Sequence, residues 1–314
     1  MYSKLEKARE VIIKELIKRG YSIEKGKKYW NISDSKLWYL TENQVKFFLK
    51  LEKIDEKQKM FYEEEKKLLK KYSKEIFSIL KNKKINLLDL GCGDGKKAGF
   101  LISSIKEITE IRYFPIDINK YMLKQAYKNV SKIKGVKILL TEKNLIDFLD
   151  LIKIEKFVRN KDFNINVLLL LGGNLENSDV HELLHELRRG MKDNDLLLIG
   201  NKLSHPIHKK MVEYYTNSKP IQNLLVKTLE ILGIKKDDLG YFARFKQDRV
   251  EMIFEFKNDY QIDKIRFSKG DCIIVAVSYK YTEQKLREIL NTYFDDVDLF
   301  VSDGGNFALA VCKK

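Results

Sequence analysis

The distribution of apolar positions divides the chain into a helical N-terminal part and a later part in which strands and helices alternate. In the first part, apolar residues recur at helical spacing over residues 1–20, 41–51 and 52–80, and a polar, turn-rich segment covers about 21–35. From residue 85 onward, short apolar runs alternate with amphipathic segments. Such alternation is typical of a parallel sheet with helices on both faces.

The apolar runs and the amphipathic segments between them predict the individual elements of this later part. Strands are predicted at residues 85–90, 111–116, 136–140, 165–171 and 195–200. Helices are predicted at about residues 96–106, 119–132, 143–156 and 178–190. The pattern therefore predicts a doubly wound, Rossmann-like α/β sheet.

The rhythm breaks after residue 203, where Pro206 and Pro220 flank an irregular segment. The elements predicted there are helices at 207–216 and 221–233 and strands at 248–256 and 260–267, which we expect to form a hairpin. After Gly270 the sheet pattern is predicted to resume with a strand at 272–277, a helix at 282–293 and an antiparallel pair of strands at 296–302 and 306–312. We therefore expect an N-terminal helical region that contributes to a substrate domain (1–80), a core (81–203), an inserted α+β substrate-binding subdomain (204–271) and a C-terminal completion of the core (272–314).

A glycine-rich stretch follows the first predicted strand of the core. Residues 85–95 read INLLDLGCGDG, in which an apolar run carries Asp89 near its end and is followed by Gly91, Gly93 and Gly95. Glycine lets a backbone take positive φ and approach a ligand closely, because it has no Cβ. The alternative is a tight strand-to-helix turn without a ligand.

A single acidic residue, Asp117, ends the second predicted strand, 26 residues after Gly91. A carboxylate at this place can accept hydrogen bonds from both ribose hydroxyls of a nucleoside cofactor. A dinucleotide fingerprint would require a third glycine at position 96, which is Lys96, and the GxxxxGK[ST] phosphate loop is absent. The form DLGCGDG instead resembles the first motif of class I S-adenosylmethionine-dependent methyltransferases.

Composition narrows the class of protein further. No apolar run approaches the ~20 residues that a membrane-spanning helix needs, and the N-terminus is charged throughout, unlike a secretory signal. The three cysteines are scattered, which favours a reducing compartment and gives no disulfide framework. We expect a cytoplasmic monomer that does not bind membranes.

The formal net charge of +15 raises the alternative of an RNA or DNA partner. Only ten of the 60 basic residues are arginine, however, and the lysines are mostly interleaved with glutamate on helical faces. Arginine is the usual residue for reading bases and clamping phosphates. Nucleic-acid binding is therefore considered but not favoured.

Residues 181–185 read HELLH and match the zinc-protease pattern HExxH. On a helix, His181 and His185 would share a face, and the glutamate could activate a metal-bound water. The leucines between them would equally pack the helix on the sheet while both histidines face outward. No third histidine follows at the extended-motif spacing, and the possible third ligands His205 and His208 lie beyond the next strand. We therefore expect no metal site.

Several further stretches, taken together, resemble the histidine Nα-methyltransferases of ergothioneine biosynthesis and their relatives, which include N-methyltransferases of prenylated tryptophan. The family's Y-x-P-x-D, L-G-S-x-x-G-N, F-x-x-G-E and E-x-S-x-K-Y segments correspond to residues 113–117, 171–177, 267–271 and 276–281. Residues 34–38 weakly resemble its G-S-x-L-F. The match spans most of the chain, and the order and spacing of the pieces carry it.

This resemblance implies S-adenosylmethionine as cofactor and a class I methyltransferase fold. It implies that Gly91 and Gly93 approach the methionine part of the cofactor, that Lys97 lies near its carboxylate, and that Asp117 takes the ribose. Together with the glycine turn, the predicted cofactor-binding residues are Asp89, Gly91, Gly93, Gly95, Lys97 and Asp117.

The resemblance also implies an acceptor site. Asn177 would hold the carboxylate of an amino-acid substrate with help from Tyr214 or Tyr215, and Ser278 would contact the substrate side chain. The family's imidazole-reading glutamate falls at Ala276, which cannot accept a hydrogen bond from a ring nitrogen. A site built around a buried polar contact discriminates strongly through it, so this departure argues against unchanged histidine selectivity.

The sequence thus predicts an S-adenosylmethionine-dependent N-methyltransferase that acts on an amino acid or a related small amine. No catalytic acid or base is assigned, because an amine bound unprotonated needs only to be held in line with the methyl group. The alternatives are an RNA or protein methyltransferase that uses the basic surface, and a cofactor-binding scaffold that has lost catalysis.

Overall fold

The computed structural model of this protein describes residues 4–204 and 208–314. The chain forms two compact units. The smaller unit comprises Met1–Asp55 and Pro206–Lys280, and the larger unit comprises Glu56–His205 and Tyr281–Lys314. The segment boundaries expected from the sequence at residues 80, 203 and 271 stay a prediction.

The larger unit is built on a seven-stranded sheet. Its strands in chain order are β3 (Lys84–Leu90), β4 (Glu110–Ile116), β5 (Lys137–Ile138), β6 (Ile165–Leu170), β7 (Leu196–Lys202), β13 (Asp296–Val301) and β14 (Phe307–Lys313). They are arranged in the order β13-β14-β7-β6-β3-β4-β5. Strands β3 to β7 are parallel, and β14 runs antiparallel to both β7 and β13. The predicted doubly wound sheet with a C-terminal antiparallel hairpin is confirmed.

Helices pack on this sheet because their apolar stripes match its buried faces. They are α3 (Glu56–Ile76), α4 (Lys96–Ile105), α5 (Lys120–Val130), α6 (Leu151–Val158), α7 (Val180–Gly190) and α10 (Glu283–Tyr293). Helices α3 and α4 contribute Leu68, Leu69, Leu101 and Ile102 to one core. Helix α7 packs against α6 and α10. Helix α3 therefore belongs to the larger unit.

The predicted helix at 143–156 is correct only from Leu151 onward. The residues before it form a short 3-10 turn, Glu142–Asn144, and an irregular connection with a further turn at residues 148–149. The Asn144 amide donates to the carbonyl oxygens of Pro115 and Leu139, at 2.8 and 3.0 Å. These side-chain bonds satisfy one backbone acceptor near the end of β4 and one directly after β5, and they hold the segment away from helical geometry.

The smaller unit contains helices and a five-stranded sheet. Its helices are α1 (Lys4–Arg19), α2 (Glu42–Ile54), α8 (His208–Asn217) and α9 (Lys219–Ile231). Its strands are β1 (Tyr21–Glu24), β2 (Lys27–Asn31), β8 (Leu239–Lys246), β9 (Arg249–Phe256) and β12 (Cys272–Tyr279), in the order β1-β2-β12-β9-β8. A separate hairpin consists of β10 (Tyr260–Ile262) and β11 (Ile265–Phe267). Of the predicted helix 207–216, residue 207 lies outside the described residues.

Two strand assignments from the sequence are wrong in this unit. The predicted strand 260–267 is itself a hairpin, and β9 pairs instead with the unpredicted β8. The turn between β8 and β9 is Gln247-Asp248, both at positive φ, which is the two-residue geometry that suits hairpins. The strand near 272–277 does not complete the core sheet, because β12 pairs with β2 and β9.

Candidate functional site

The glycine turn between β3 and α4 has the backbone geometry that its sequence predicts. Gly91, Gly93 and Gly95 have φ values of +66°, +54° and +71°. Residues with a Cβ rarely adopt this left-handed backbone conformation. A Cβ at Gly91 would lie 3.0 Å from Nδ2 of Asn174, whereas a Cβ at Gly93, its chain neighbours aside, would meet no atom of the described residues within 4 Å. The backbone at Gly93 is therefore open to the close approach of a ligand.

Gly95 has a different surrounding from the other two glycines. It is the N-cap of α4, and a Cβ there would lie 2.7 Å from the Cα of Ala126 on α5. This close contact between helices explains the glycine without a ligand. The structure therefore gives Gly95 a packing role, and its predicted contact with cofactor stays a prediction.

Asp117 lies next to Gly93, so the structure brings the two predicted anchors together. Its Oδ2 accepts a hydrogen bond from the Gly93 amide at 3.2 Å, and its Oδ1 accepts one from the Asn119 amide at 2.8 Å. Burial raises the pKa of Asp117 to about 6, although the backbone N–H donors oppose this rise. A carboxylate offers about four lone-pair sites, so acceptor capacity remains beside the backbone donors. The residue can therefore accept hydrogen bonds from the ribose of S-adenosylmethionine, the role that the resemblance implies.

Asp89 is buried on β3 beneath the turn. Its Oδ2 accepts a hydrogen bond of 2.7 Å from the Tyr113 hydroxyl on β4. Burial raises the pKa of Asp89 to about 7, the Tyr113 bond opposes the rise, and the charge of Asp117 adds to it. The Asp89 carboxyl group therefore has a hydrogen-bond partner, Tyr113, within the sheet itself. The predicted contact of Asp89 with the cofactor stays a prediction.

We expect Asp89→Asn to change how stability depends on pH. The folded-state pKa of Asp89 is raised from about 4 to about 7, so the folded protein binds more protons than the unfolded chain in this window. Stability from this group is therefore present at low pH and lost as the pH rises from about 4 to about 7. Asparagine still accepts the Tyr113 hydrogen bond but does not titrate.

Urea unfolding of the wild type and Asp89→Asn at pH 5 and pH 8 measures this effect. The wild type should gain about 2 to 3 kcal/mol relative to the variant on going from pH 8 to pH 5. A difference between the two proteins that stays constant over this range would show that Asp89 does not titrate in it.

Lys97 on α4 forms an ion pair with the buried Glu65, which the sequence did not predict. Its Nζ lies 2.7 Å from Oε2 of Glu65 on α3, and Oε1 of Glu65 accepts a hydrogen bond of 2.9 Å from the Gly172 amide. The Glu65 side chain is 1% exposed. A signal was available, because Glu65 occupies a position on the apolar stripe of α3, between Phe61 and Leu69.

Asn177 lies in the connection between β6 and α7, within a short 3-10 turn at Leu175–Asn177. Its Nδ2 donates to the carbonyl oxygen of Gly173 at 3.2 Å, and one amide hydrogen remains for another acceptor. Nearby, Nδ2 of Asn174 donates to the Leu171 carbonyl oxygen at 3.0 Å. Because β6 is the parallel neighbour of β3, this connection emerges at the same edge of the sheet as the glycine turn.

The other predicted acceptor residues lie together in the smaller unit. The Tyr215 hydroxyl is 3.2 Å from Oγ of Ser278, and Nζ of Lys280 donates to both, at 3.2 and 2.5 Å. The Tyr214 hydroxyl donates to Asp55 Oδ1 at 2.9 Å. Ala276 is fully buried two residues before Ser278 on the same strand. Lys280 belongs to the segment 276–281 that carries the family resemblance, but it was not among the predicted site residues.

The structure gives the HExxH match an ordinary explanation. Leu183 and Leu184 are buried, and Nδ1 of His181 lies 2.8 Å from the Tyr293 hydroxyl on α10. Among residues 4–204 and 208–314, no cluster of three or more His, Cys, Asp or Glu side chains could hold a metal ion. His205 lies outside the described residues.

Within the same described ranges, no helix combines the length and the apolar character that crossing a membrane requires.

Comparison of the sequence with models of known protein families finds a match over most of the chain. A family model described as histidine-specific, S-adenosylmethionine-dependent methyltransferase matches residues 53–314. None of the curated proteins matches the chain.

Solved structures show weaker likenesses. One is a magnesium protoporphyrin IX methyltransferase from Synechocystis PCC 6803 with bound S-adenosylhomocysteine, at 10% identity over 88% of this chain and 96% of that chain, with a TM-score of 0.45. Another is an S-adenosylmethionine-dependent methyltransferase from Aquifex aeolicus, at 15% identity over 78% and 88%, with a TM-score of 0.36. The family assignment rests on the family model alone.

Proposed function

Because the chain belongs to the family of histidine-specific, S-adenosylmethionine-dependent methyltransferases, we propose that it methylates the nitrogen of an amino acid or a related small amine. The protein is a methyltransferase with a class I, Rossmann-like fold, and S-adenosylmethionine is its methyl donor. The acceptor and the roles of individual residues belong to the proposal.

For the cofactor, we propose contacts at the carboxyl edge of the seven-stranded sheet. Gly91 and Gly93 offer a backbone without side chains, Asp117 offers two acceptor oxygens, and Lys97 offers N–H donors for a carboxylate. Next to this turn, Asp89 accepts a hydrogen bond from Tyr113, and Gly95 packs against Ala126 of α5. When bound, the cofactor supplies an electrophilic methyl group on a positively charged sulfur.

The observation that carries the amino-acid acceptor is Asn177. Its side chain is anchored to the Gly173 carbonyl oxygen and keeps one N–H that can donate to a carboxylate. It occupies the last position of the L-G-S-x-x-G-N segment, where the family resemblance implies a contact with the substrate carboxylate. We assign Asn177 this role, and we assign Tyr214, Tyr215 and Ser278 to contacts with the rest of the acceptor.

Ala276 supports an acceptor other than unmodified histidine. It is fully buried, and its methyl group neither donates nor accepts a hydrogen bond. Where the resemblance places a carboxylate that reads imidazole, this chain therefore offers only an apolar contact. We infer an acceptor whose side chain does not need an anionic partner at this position.

The chemistry required of the protein is mainly positioning. The acceptor nitrogen must be neutral and lie in line with the methyl group, since holding two reactants in this geometry supplies much of the rate acceleration. The nitrogen lone pair forms the new bond to carbon, the bond from that carbon to sulfur breaks, and the methylated nitrogen then releases a proton to solvent. In this proposal Asn177 orients the acceptor, and no side chain of the chain serves as general base.

A second candidate is an RNA or protein methyltransferase, which the net charge of +15 favours. Several lysines, however, lie next to a carboxylate of the same helix, as in the pairs Lys46–Glu42, Lys67–Glu64 and Lys227–Glu230. These pairs are consistent with a solvated helical surface. Retention of RNA that declines steeply with salt would favour this candidate.

The test uses purified protein, S-adenosylmethionine labelled in its methyl group, and a panel of amino acids and small amines beside total RNA. We expect label in a small amine-containing product, and label in the RNA fraction would overturn the proposal. Lack of transfer to every acceptor despite cofactor binding would favour a scaffold that has lost catalysis.

On the active acceptor, Asn177→Ala is expected to raise KM by about tenfold, because one hydrogen bond to a charged group contributes about 1.5 kcal/mol or more. The affinity for S-adenosylhomocysteine should not change. Asn160→Ala, in the loop before β6, is the matched control and should alter neither value. An unchanged KM in Asn177→Ala would remove this residue from the acceptor site.

A further inference from the structure

The contact between the buried Glu65 carboxylate and Lys97 lies at this edge of the sheet, and the proposed function gives Glu65 no role. We propose that Glu65 is a positioning residue of the cofactor site and that it holds Lys97 against the methionine carboxylate of S-adenosylmethionine. This inference rests on the role assigned to Lys97 in the proposed function, and it concerns a residue on a different helix.

The contacts of Glu65 connect three elements of the larger unit. The residue projects from α3, its Oε2 lies 2.7 Å from Nζ of Lys97 on α4, and its Oε1 accepts a 2.9 Å hydrogen bond from the Gly172 amide after β6. The Glu65 side chain is 1% exposed and that of Lys97 is 21% exposed. One carboxylate therefore holds both a lysine in the first turn of α4 and the backbone amide of Gly172, which follows β6.

The backbone around this pair leaves room for it at two glycines. A Cβ at Gly200 on β7 would lie 1.9 Å from Oε1 of Glu65, and a Cβ at Gly172 would lie 2.9 Å from Nζ of Lys97. The first distance is far inside van der Waals contact. The carboxylate thus occupies a place that the neighbouring strand leaves free only because it carries glycine there.

A fixed lysine binds a carboxylate better than a mobile one. A lysine side chain is long and flexible, and immobilising it on binding costs affinity. An ammonium group has three N–H donors, so a lysine can contact two carboxylates at once. By holding Lys97 before the cofactor arrives, Glu65 would remove part of the entropic cost of binding.

The competing explanation is that the ion pair only attaches α3 to the sheet. The two explanations differ for a ligand that lacks the carboxylate. If Glu65 acts through Lys97, its removal weakens S-adenosylhomocysteine but not 5′-methylthioadenosine, which has the same adenosine and sulfur without the amino-acid part. If Glu65 only stabilises the fold, both ligands lose affinity together.

The experiment is calorimetric titration of both ligands into the wild type, Glu65→Gln, Lys97→Met and the double variant. We expect Glu65→Gln to weaken S-adenosylhomocysteine by about tenfold and 5′-methylthioadenosine by less than about twofold. Lys97→Met should show the same selectivity, and the double variant should lose no more than Lys97→Met alone, because the two residues act as one unit. Glu63→Gln, on the exposed side of α3, is the matched control and should leave both affinities unchanged.

Equal weakening of both ligands in Glu65→Gln would overturn the inference. So would a selective loss in Lys97→Met with none in Glu65→Gln. If Lys97→Met itself keeps full affinity for S-adenosylhomocysteine, the assignment of Lys97 in the proposed function fails as well. Should Glu65→Gln not fold, Gly200→Ala displaces the carboxylate while keeping its charge, and the same selective loss is expected or the inference is overturned.

Discussion

Asp117→Ala is expected to lower the affinity for S-adenosylhomocysteine by about 100-fold or more. A hydrogen bond to a charged group contributes about 1.5 to 3 kcal/mol, and in the proposed complex the Asp117 carboxylate accepts from both ribose hydroxyls. The loss of two such bonds corresponds to at least two powers of ten in the dissociation constant. Isothermal titration calorimetry on the wild type and the variant measures it directly.

The pH dependence of the same titration gives an independent check. The pKa of Asp117 is raised to about 6 by burial, so protonation near this pH removes lone-pair acceptors and weakens the complex. The wild type should therefore bind more weakly at pH 5 than at pH 8. Asp193→Ala, at an exposed site of the same unit, should bind like the wild type. Equal affinities of Asp117→Ala and the wild type would contradict the assignment.

Gly95→Ala and Gly93→Ala are expected to fail in opposite ways, although both glycines lie in one turn at similar φ. At Gly95 the new Cβ would lie 2.7 Å from the Cα of Ala126 and 2.8 Å from its Cβ. Overpacking costs about 1 to 3 kcal/mol, and the left-handed conformation adds about 1 to 2 kcal/mol. Gly95→Ala should therefore lower the free energy of unfolding by about 2 to 5 kcal/mol.

At Gly93 the new methyl group meets no atom of residues 4–204 or 208–314 within 4 Å apart from its chain neighbours, so only the conformational cost of about 1 to 2 kcal/mol is expected. The methyl group would instead occupy space that the proposal gives to the cofactor, and S-adenosylhomocysteine should bind at least about tenfold more weakly. Urea unfolding and calorimetry on both variants separate the two effects. Similar losses of stability in both, or full affinity in Gly93→Ala, would contradict the assignment of this turn.

The larger unit could be predicted from its sequence because its central strands are buried on both faces. Such strands read as nearly continuous apolar runs, as in residues 85–90 and 165–171, and their flanking helices supply the alternation. Asp117 and the glycine turn could be located for the same reason. Both follow strands that the pattern places next to each other at the carboxyl edge of a parallel sheet.

The smaller unit was harder to predict because its sheet depends on pairings between distant parts of the chain. Strand β12 pairs with β2, more than 200 residues earlier, and an apolar alternating strand does not indicate which sheet it joins. The turns of its hairpins also lack the strongest signals. Gln247-Asp248 and Lys25-Gly26 take positive φ without the usual Asn-Gly or Asp-Gly pair, so β8 and the β1–β2 hairpin were missed.

Glu65 shows what the periodicity of apolar residues alone cannot reveal about an ion pair. A charged residue on an apolar stripe is read as a deviation from the pattern, and its partner cannot be identified until α3 is placed on the sheet. Glu65 on α3 contacts Lys97 on α4 and Gly172 after β6, and these three elements are far apart in sequence. The signal was therefore visible, but its meaning required the fold.

The crystal structure of the protein bound to S-adenosylhomocysteine tests the central claim most directly. The account predicts the adenosine along the carboxyl edge of the seven-stranded sheet, with both ribose hydroxyls at about 3 Å from the Asp117 carboxylate oxygens. It also predicts the sulfur side of the ligand over Gly91 and Gly93, with its carboxylate toward Lys97. A ribose bound elsewhere, with the Asp117 oxygens out of reach, would contradict it.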